Sequence, residues 1–313
     1  MTGRHVSLEQ IARAAELLRS GQLVAFPTET VYGLGANALD AAAVRKIYAA
    51  KGRPSTSPLI VHVANAALAR ALVTYWPPLA ATLAAEFWPG PLTMVLPKQA
   101  LIPDEVTAGL GTVGIRVPAH PVALALLEAV RIPVAAPSAN RFTELSPTTA
   151  EHVRESFGDS IPVLDGGPCD VGIESTVLGI ENGGIVVLRP GMISLDDLRA
   201  FSPNVRLAAQ PVSGASHSSP GQHDRHYSPR TPLVLGPPRA TGRGAYLEWS
   251  GSPRDAAAIN VRMPDSPAGY AAALYGALHA VDGGGYDWIA VEPVPDSPEW
   301  DAIRDRLRRA ASE

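Results

Sequence analysis

The residues able to do chemistry sit in short runs between apolar segments, and most are cations or hydroxyls. Pro27-Thr-Glu-Thr-Val-Tyr-Gly-Leu-Gly35 sets two threonines and a glutamate behind the apolar run Leu23-Val-Ala-Phe26. That segment reads two ways. It is a polar turn capped by its own hydroxyls, or a cradle for a small polar ligand at a strand's carboxyl end. Lys51-Gly-Arg-Pro-Ser-Thr-Ser-Pro58 carries one of only three lysines in the chain, with His62 on the next apolar run. Cations at a helix C-terminus complement its dipole. Equally, Lys51 and Arg53 beside Ser57 form an anion clamp, because guanidinium grips phosphate or carboxylate bidentately and ammonium adds a point charge.

Arg116 interrupts the apolar run Val113-Gly-Ile-Arg-Val-Pro118, so it either faces solvent or needs a buried anion. Arg189, in Leu188-Arg-Pro-Gly191, poses the same question. Ala135-Ala-Pro-Ser-Ala-Asn140 leaves a strand through small residues that allow close backbone approach to a flat ligand, and Ser146 and Glu174-Ser-Thr176 add hydroxyls. Taken together, these strand ends carry what an anionic nucleotide pocket needs. The usual nucleotide and hydrolase signatures are missing: there is no GxxxxGK[ST], no HExxH and no GxSxG, and Gly33-Leu-Gly35 after the first strand lacks the third glycine of a dinucleotide fingerprint.

The elements that must position these residues alternate along the chain. Ser7 and Gln10 form a capping-box pattern for a helix over 7–20, and Asp40 caps a second through Ala50. Strands are expected at 23–26, 59–63, 92–96, 113–117, 133–136, 176–180 and 185–188, with helices near 66–73, 79–87, 122–130 and 148–157. This favours an α/β domain on one mixed sheet. The texture changes in 202–229, where Pro, Ser and Gly read as linker chemistry. Beyond it, short strands at 233–235, 259–261 and 288–291 and helices at 268–281 and 299–311 suggest a smaller α/β domain. The expected division is therefore 1–201, a linker at 202–229, and 230–313.

Composition trims the alternatives. The 313 residues hold 26 Lys and Arg against 30 Asp and Glu, a net charge of -4, which disfavours a broad nucleic-acid surface. The single cysteine, Cys169, cannot form an internal disulfide and points to a reducing cytoplasm. No apolar run approaches the ~20 residues of a membrane span.

In order, FPTETVYGLG, KGRP, PLIVHV, WPGPLT, VTAGL, RVPAHP, APSAN, SPT, ESTV and LRPG closely resemble the threonylcarbamoyl-AMP synthase family. SPGQHDRHYSP followed by a small domain resembles that family's long, two-domain form. The resemblance implies a twisted, open α/β sheet with a concave pocket, and a smaller Rossmann-like C-terminal domain. It implies an enzyme that takes L-threonine, bicarbonate and ATP to threonylcarbamoyl-adenylate and pyrophosphate. A downstream transferase complex would then modify adenosine 37 of tRNA, with weak or no direct tRNA binding by this chain. Magnesium would travel with the triphosphate, and no protein-bound metal site is expected.

Carried over by motif, Thr28, Thr30, His62, Arg116, Ala136 and Ser175 would contact threonine. Lys51 and Arg53 would be catalytic cations. Ser57, Thr112, Ser138, Asn140, Ser146 and Arg189 would line the ATP side, and His226 and Tyr227 on the linker would close over the nucleotide. Ser57 stands where many relatives have asparagine, and Gln222-His-Asp-Arg225 replaces a more basic stretch. Two rival readings are a carbamoyl-transfer module and an RNA-binding factor that uses a local basic patch.

Overall fold

The computed structural model describes residues 6–209, 226–239, 241–252 and 254–311. Most of the expected linker, including Gln222, His223, Asp224 and Arg225, lies outside them.

Nine strands form the larger sheet: β1 Val24–Phe26, β2 Gly33–Asn37, β3 Ile60–His62, β4 Leu92–Pro97, β5 Thr112–Arg116, β6 Val134–Ala135, β7 Thr176–Glu181, β8 Gly184–Arg189 and β9 Val205–Leu207. Their order is β1-β2-β6-β3-β5-β4-β7-β8-β9. The β3–β5, β4–β7 and β8–β9 pairs are parallel and the rest antiparallel, so the sheet is mixed, as expected. Apolar layers cover both faces. One holds Leu34, Ile47, Val61, Leu83, Met94 and Leu178, and the other Leu18, Val24, Phe26, Leu127 and Val134.

The helix Leu8–Arg19 starts where the capping box placed it. Ser7 Oγ accepts from Gln10 N at 3.2 Å and Gln10 Oε1 accepts from Ser7 N at 2.8 Å. Its buried stripe, Ile11, Ala14, Ala15 and Leu18, shares a core with the helix Pro121–Val130.

β2 falls where the sequence suggests only a loop. Gly33-Leu-Gly-Ala-Asn37 lacks the β-branched residues that announce a strand. Its glycines serve proximity instead: a Cβ on Gly35 would lie 2.9 Å from the Phe26 ring and 3.0 Å from Val134 Cγ1. The strand lies flat between β1 and β6 and turns the Thr28–Thr30 loop back onto the sheet.

The smaller sheet is parallel, in the order β10-β13-β11-β12, from β10 Leu233–Leu235, β11 Gly244–Glu248, β12 Ile259–Arg262 and β13 Trp288–Val291. Strand β11 also escaped the sequence reading, because all five residues are buried and no alternation marks it. At its carboxyl end, Glu292 accepts from Trp249 N at 2.8 Å and Ser250 N at 3.0 Å, while Glu248 accepts from Gly251 N at 2.7 Å. Carboxylates thus occupy the backbone amides at this strand end. The two units share apolar cover. Val31, Leu145 and Ile173 of the larger bury in one cluster with Tyr227, Leu274, Tyr275, Ile303 and Leu307.

Candidate active site

The cleft forms where several strands of the larger sheet end. Parallel pairing sets His62, last in β3, opposite Arg116, last in β5. The loop after β1 brings Thr28 and Thr30, the turn after β6 brings Ala136 and Ser138, and Ser175 and Arg189 flank the β7–β8 hairpin. Arg53, His226 and Tyr227 complete the wall, with Glu174 beside Ser175. The space left among them is narrow, ≈ 50 Å³.

The Thr28 segment is a turn capped by its own hydroxyls that also faces the cleft. Thr28 Oγ accepts from Thr30 N and Val31 N at 3.2 Å, which makes a self-capped turn. Yet Thr28 Oγ and Thr30 Oγ lie 2.8 Å apart and both line the cleft. Arg116 is buried, not solvent-facing. Its Nη1 donates to Thr30 Oγ at 2.9 Å, its Nε to Gly90 O at 3.2 Å, and its Nη2 lies 2.7 Å from Glu29 Oε1. Glu29 Oε2 in turn accepts from Ala119 N at 3.0 Å. Because its charge is answered by Glu29, Arg116 serves as a fixed donor more than as an unbalanced cation.

Burial and the neighbouring Arg116 charge push the His62 imidazole down to about 3, so it is neutral at ordinary pH. Arg53 donates from Nη2 to Ser57 Oγ at 2.6 Å and to Pro58 O at 3.0 Å. Burial lowers its pKa to about 10, which leaves it charged at neutral pH. Arg189 rests on Ser175, with Nε 3.2 Å and Nη2 3.0 Å from the carbonyl, and Ser175 Oγ meets Thr93 Oγ at 2.8 Å.

Several buried polar atoms without a hydrogen-bond partner among the described residues belong to side chains lining this cleft, among them Arg53 Nε, His62 Nδ1 and Tyr227 OH. Such groups are costly unless something polar completes them.

Five residues expected at the site do not line the cleft. Lys51 Nζ donates to Ser138 O at 2.6 Å and Asn140 O at 2.5 Å, beneath the turn. Burial and the nearby Arg53 charge hold its pKa well below the usual lysine range. Asn140 uses its amide to brace the same turn, on Arg141 O and Glu144 O at 2.8 Å. Ser57 carries Arg53, and Ser146 donates to Glu174 Oε1 at 2.5 Å. Thr112 begins β5, about 13 Å along the strand from Arg116 at its end. The physical reason is strand length: VTAGL and RVPAHP meet opposite ends of β5.

His226 and Tyr227, expected to close over the nucleotide, are held from both units. Tyr227 adopts φ 61°, rare for a bulky side chain, and is almost fully buried. His226 stacks edge-on with Tyr227 at 4.0 Å and with Phe142 at 6.2 Å, and the Tyr227 ring lies 5.9 Å from that of Tyr275. Glu174 is the charged cleft residue to which the sequence reading gave no role. Its partners, Tyr275 and Arg306, lie too far along the chain to be seen from local pattern.

A family model described as telomere recombination matches residues 16–191, and one described as threonylcarbamoyl-AMP synthase, C-terminal domain, matches residues 193–312. The threonylcarbamoyl-AMP synthase of Pyrococcus abyssi (strain GE5 / Orsay) is 40% identical over 321 residues, covering 96% of this chain and 94% of that one. That of Bacillus subtilis (strain 168) is 42% identical over 326 residues, covering 96% and 93%. The crystal structure of P. abyssi Sua5 complexed with L-threonine superimposes with a TM-score of 0.90 at 39% identity, covering 98% of this chain and 96% of that one.

Proposed function

The chain belongs to the threonylcarbamoyl-AMP synthase family, and on that premise we propose that its cleft joins L-threonine, bicarbonate and ATP into L-threonylcarbamoyl-adenylate, releasing pyrophosphate. The observation that carries this reading is the convergence of incompletely bonded buried polar atoms, among them those of Arg53, His62 and Tyr227, upon one cleft also lined by Arg116 and Arg189. The substrates are anions or carry carboxylates, so gathering them needs fixed cations and donors.

Threonine lies on the side of Thr28, Thr30, His62, Arg116, Ala136 and Ser175. The relative crystallised with L-threonine supports that amino acid as the substrate. Its amine attacks the carbon of bicarbonate, water leaves, and an N-carboxylate forms. A neutral His62 suits threonine binding, since a second cation beside Arg116 would repel the ammonium form in which threonine arrives. The carboxylate oxygen then attacks the α-phosphorus, and the bond to pyrophosphate breaks. Arg53 and Arg189 stabilise the charge that builds on the phosphate oxygens, with no covalent enzyme intermediate. Lys51 and Asn140 hold the Ser138 turn against the nucleotide, Ser57 orients Arg53, Ser146 steadies Glu174, and His226 and Tyr227 close over the base. Thr112 takes no part in this scheme.

Magnesium, carried by the triphosphate oxygens, would add Lewis-acid charge. Among the described residues no group of three or more His, Cys, Asp or Glu is placed to hold a metal. Residues 1–201 would form the catalytic unit and 230–313 an accessory unit; the expected linker 202–229 begins inside the larger sheet, since Val205–Leu207 pairs with β8, so only the chain after it would link the two. No helix among the described residues is long and apolar enough to cross a membrane, and a cytoplasmic site of action fits an adenylate consumed by a tRNA-modifying transferase complex.

The test is pyrophosphate release with each substrate omitted in turn. Release is expected only with all three present. Release from ATP alone, at the same rate, would refute the assignment.

A further inference from the structure

Arg306 is a buried cation of the small unit whose guanidinium reaches the wall of the large unit's cleft. It lies on the last helix, Asp301–Ala310, and its side chain is wholly enclosed. Its Nε donates to Glu174 Oε2 at 2.8 Å, its Nη2 to Glu174 O at 3.3 Å and its Nη1 to Pro190 O at 2.9 Å, next to Arg189. Its position is fixed in turn by Asp305, whose Oδ2 accepts from Nη1 at 2.9 Å and whose carboxylate also binds Arg309 Nε at 3.0 Å. Arg306 also sits 5.3 Å from the centre of the Tyr227 ring.

Glu174 is the reason this matters. Among the described residues its carboxylate is the one acidic side chain on the cleft wall, and it lies among groups that must attract anions. Burial would raise its pKa, but Arg306, Arg189 and the Ser146 hydroxyl hold it below the usual carboxylate range, so it stays charged. Tyr275 OH, also from the small unit, donates to it at 3.1 Å. An uncompensated carboxylate here would draw on Arg189 and repel a triphosphate. We propose that Arg306 is a positioning residue of the active site, which fixes the Glu174 carboxylate and cancels its charge so that the cleft keeps the positive field ATP requires. The small unit thereby contributes to nucleotide binding without touching the nucleotide. This inference rests on reading the cleft as an ATP site.

Calorimetric binding of magnesium-ATP and of L-threonine to the full chain tests it, with Arg306→Met, Glu174→Gln and the double variant. Arg306→Met is expected to weaken ATP binding about tenfold or more, with L-threonine binding changed less than about threefold. Adding Glu174→Gln removes the uncompensated charge and is expected to bring ATP binding back within about threefold of wild type. A double variant as weak as Arg306→Met, or equal loss of both ligands, would overturn the proposal, since a merely structural strut gains nothing from losing its second half. If Arg306→Met does not fold, Glu174→Gln alone decides: ATP binding equal to or tighter than wild type supports the proposal, and about tenfold weaker binding overturns it. Binding needs no turnover. Wild-type protein that binds ATP but makes no adenylate would therefore refute the reaction assigned above and leave this inference standing, whereas wild type that binds no ATP would refute both.

Discussion

Arg116 and Glu29 form a buried ion pair, with Nη2 and Oε1 2.7 Å apart and the side chains 4% and 9% exposed, directly beneath Thr30. The pair fixes one wall of the cleft before any ligand arrives. Breaking such a pair by removing one partner strands the other charge and costs about 3 kcal/mol or more. Glu29→Ala should lower the unfolding free energy in urea by about that amount, and should weaken L-threonine binding by leaving Arg116 unanchored. Unchanged stability would contradict the cost assigned to stranding Arg116.

His62 gives a pH prediction with a definite sign. Burial holds its folded-state pKa near about 3, below the value of about 6.5 in an unfolded chain. The unfolded state therefore binds a proton that the native state refuses, and stability falls as pH drops below 6.5 toward 3. Between neutral pH and pH about 5 this group alone contributes a loss of roughly 1–2 kcal/mol. Urea titrations at the two pH values should show His62→Gln with a shallower pH dependence than wild type. L-Threonine affinity should show no titration from His62 across the same range, because the imidazole stays neutral.

Lys51 and Arg53 are neighbours in sequence but should fail differently. The Lys51 ammonium is spent on the carbonyls of Ser138 and Asn140. Lys51→Met leaves those acceptors unsatisfied and should cost about 2 kcal/mol of stability as well as activity. Arg53 lines the cleft, so Arg53→Ala should lower kcat/KM for ATP about 100-fold with a smaller loss of stability. Thermal melts paired with ATP kinetics separate the two, and identical profiles would contradict the division.

Tyr227 holds a left-handed backbone, φ 61°, against its packing on His226, Tyr275 and Arg306. Such strain costs on the order of 1–3 kcal/mol and persists only where the surroundings impose it. Tyr227→Ala should therefore weaken ATP retention more than L-threonine binding, measured by calorimetry on each ligand. Equal losses would count against a lid over the nucleotide.

Much of this was legible in the sequence, and the failures share a cause. The capping box of the first helix and the apolar strands around β3 and β5 are local patterns, and local patterns survive in a string of letters. Whether Arg116 faced solvent was not legible, because its counter-ion Glu29 lies far away along the chain. Arg306 was invisible for the same reason: its value depends on Glu174, 132 residues earlier. Strand β2 was missed because glycine, chosen there for closeness to Phe26, carries no strand signal. Thr112 was drawn to the site by its motif, whereas the strand it begins carries it to the far end.

The most direct measurement is mass spectrometry of the products made from ATP, L-threonine and isotopically labelled bicarbonate. The account predicts a labile threonylcarbamoyl-adenylate carrying the label in its carbamoyl carbon, formed in step with pyrophosphate and absent when any substrate is withheld. Pyrophosphate without a labelled adenylate, or an adenylate formed on threonine's own carboxylate without the label, would contradict it.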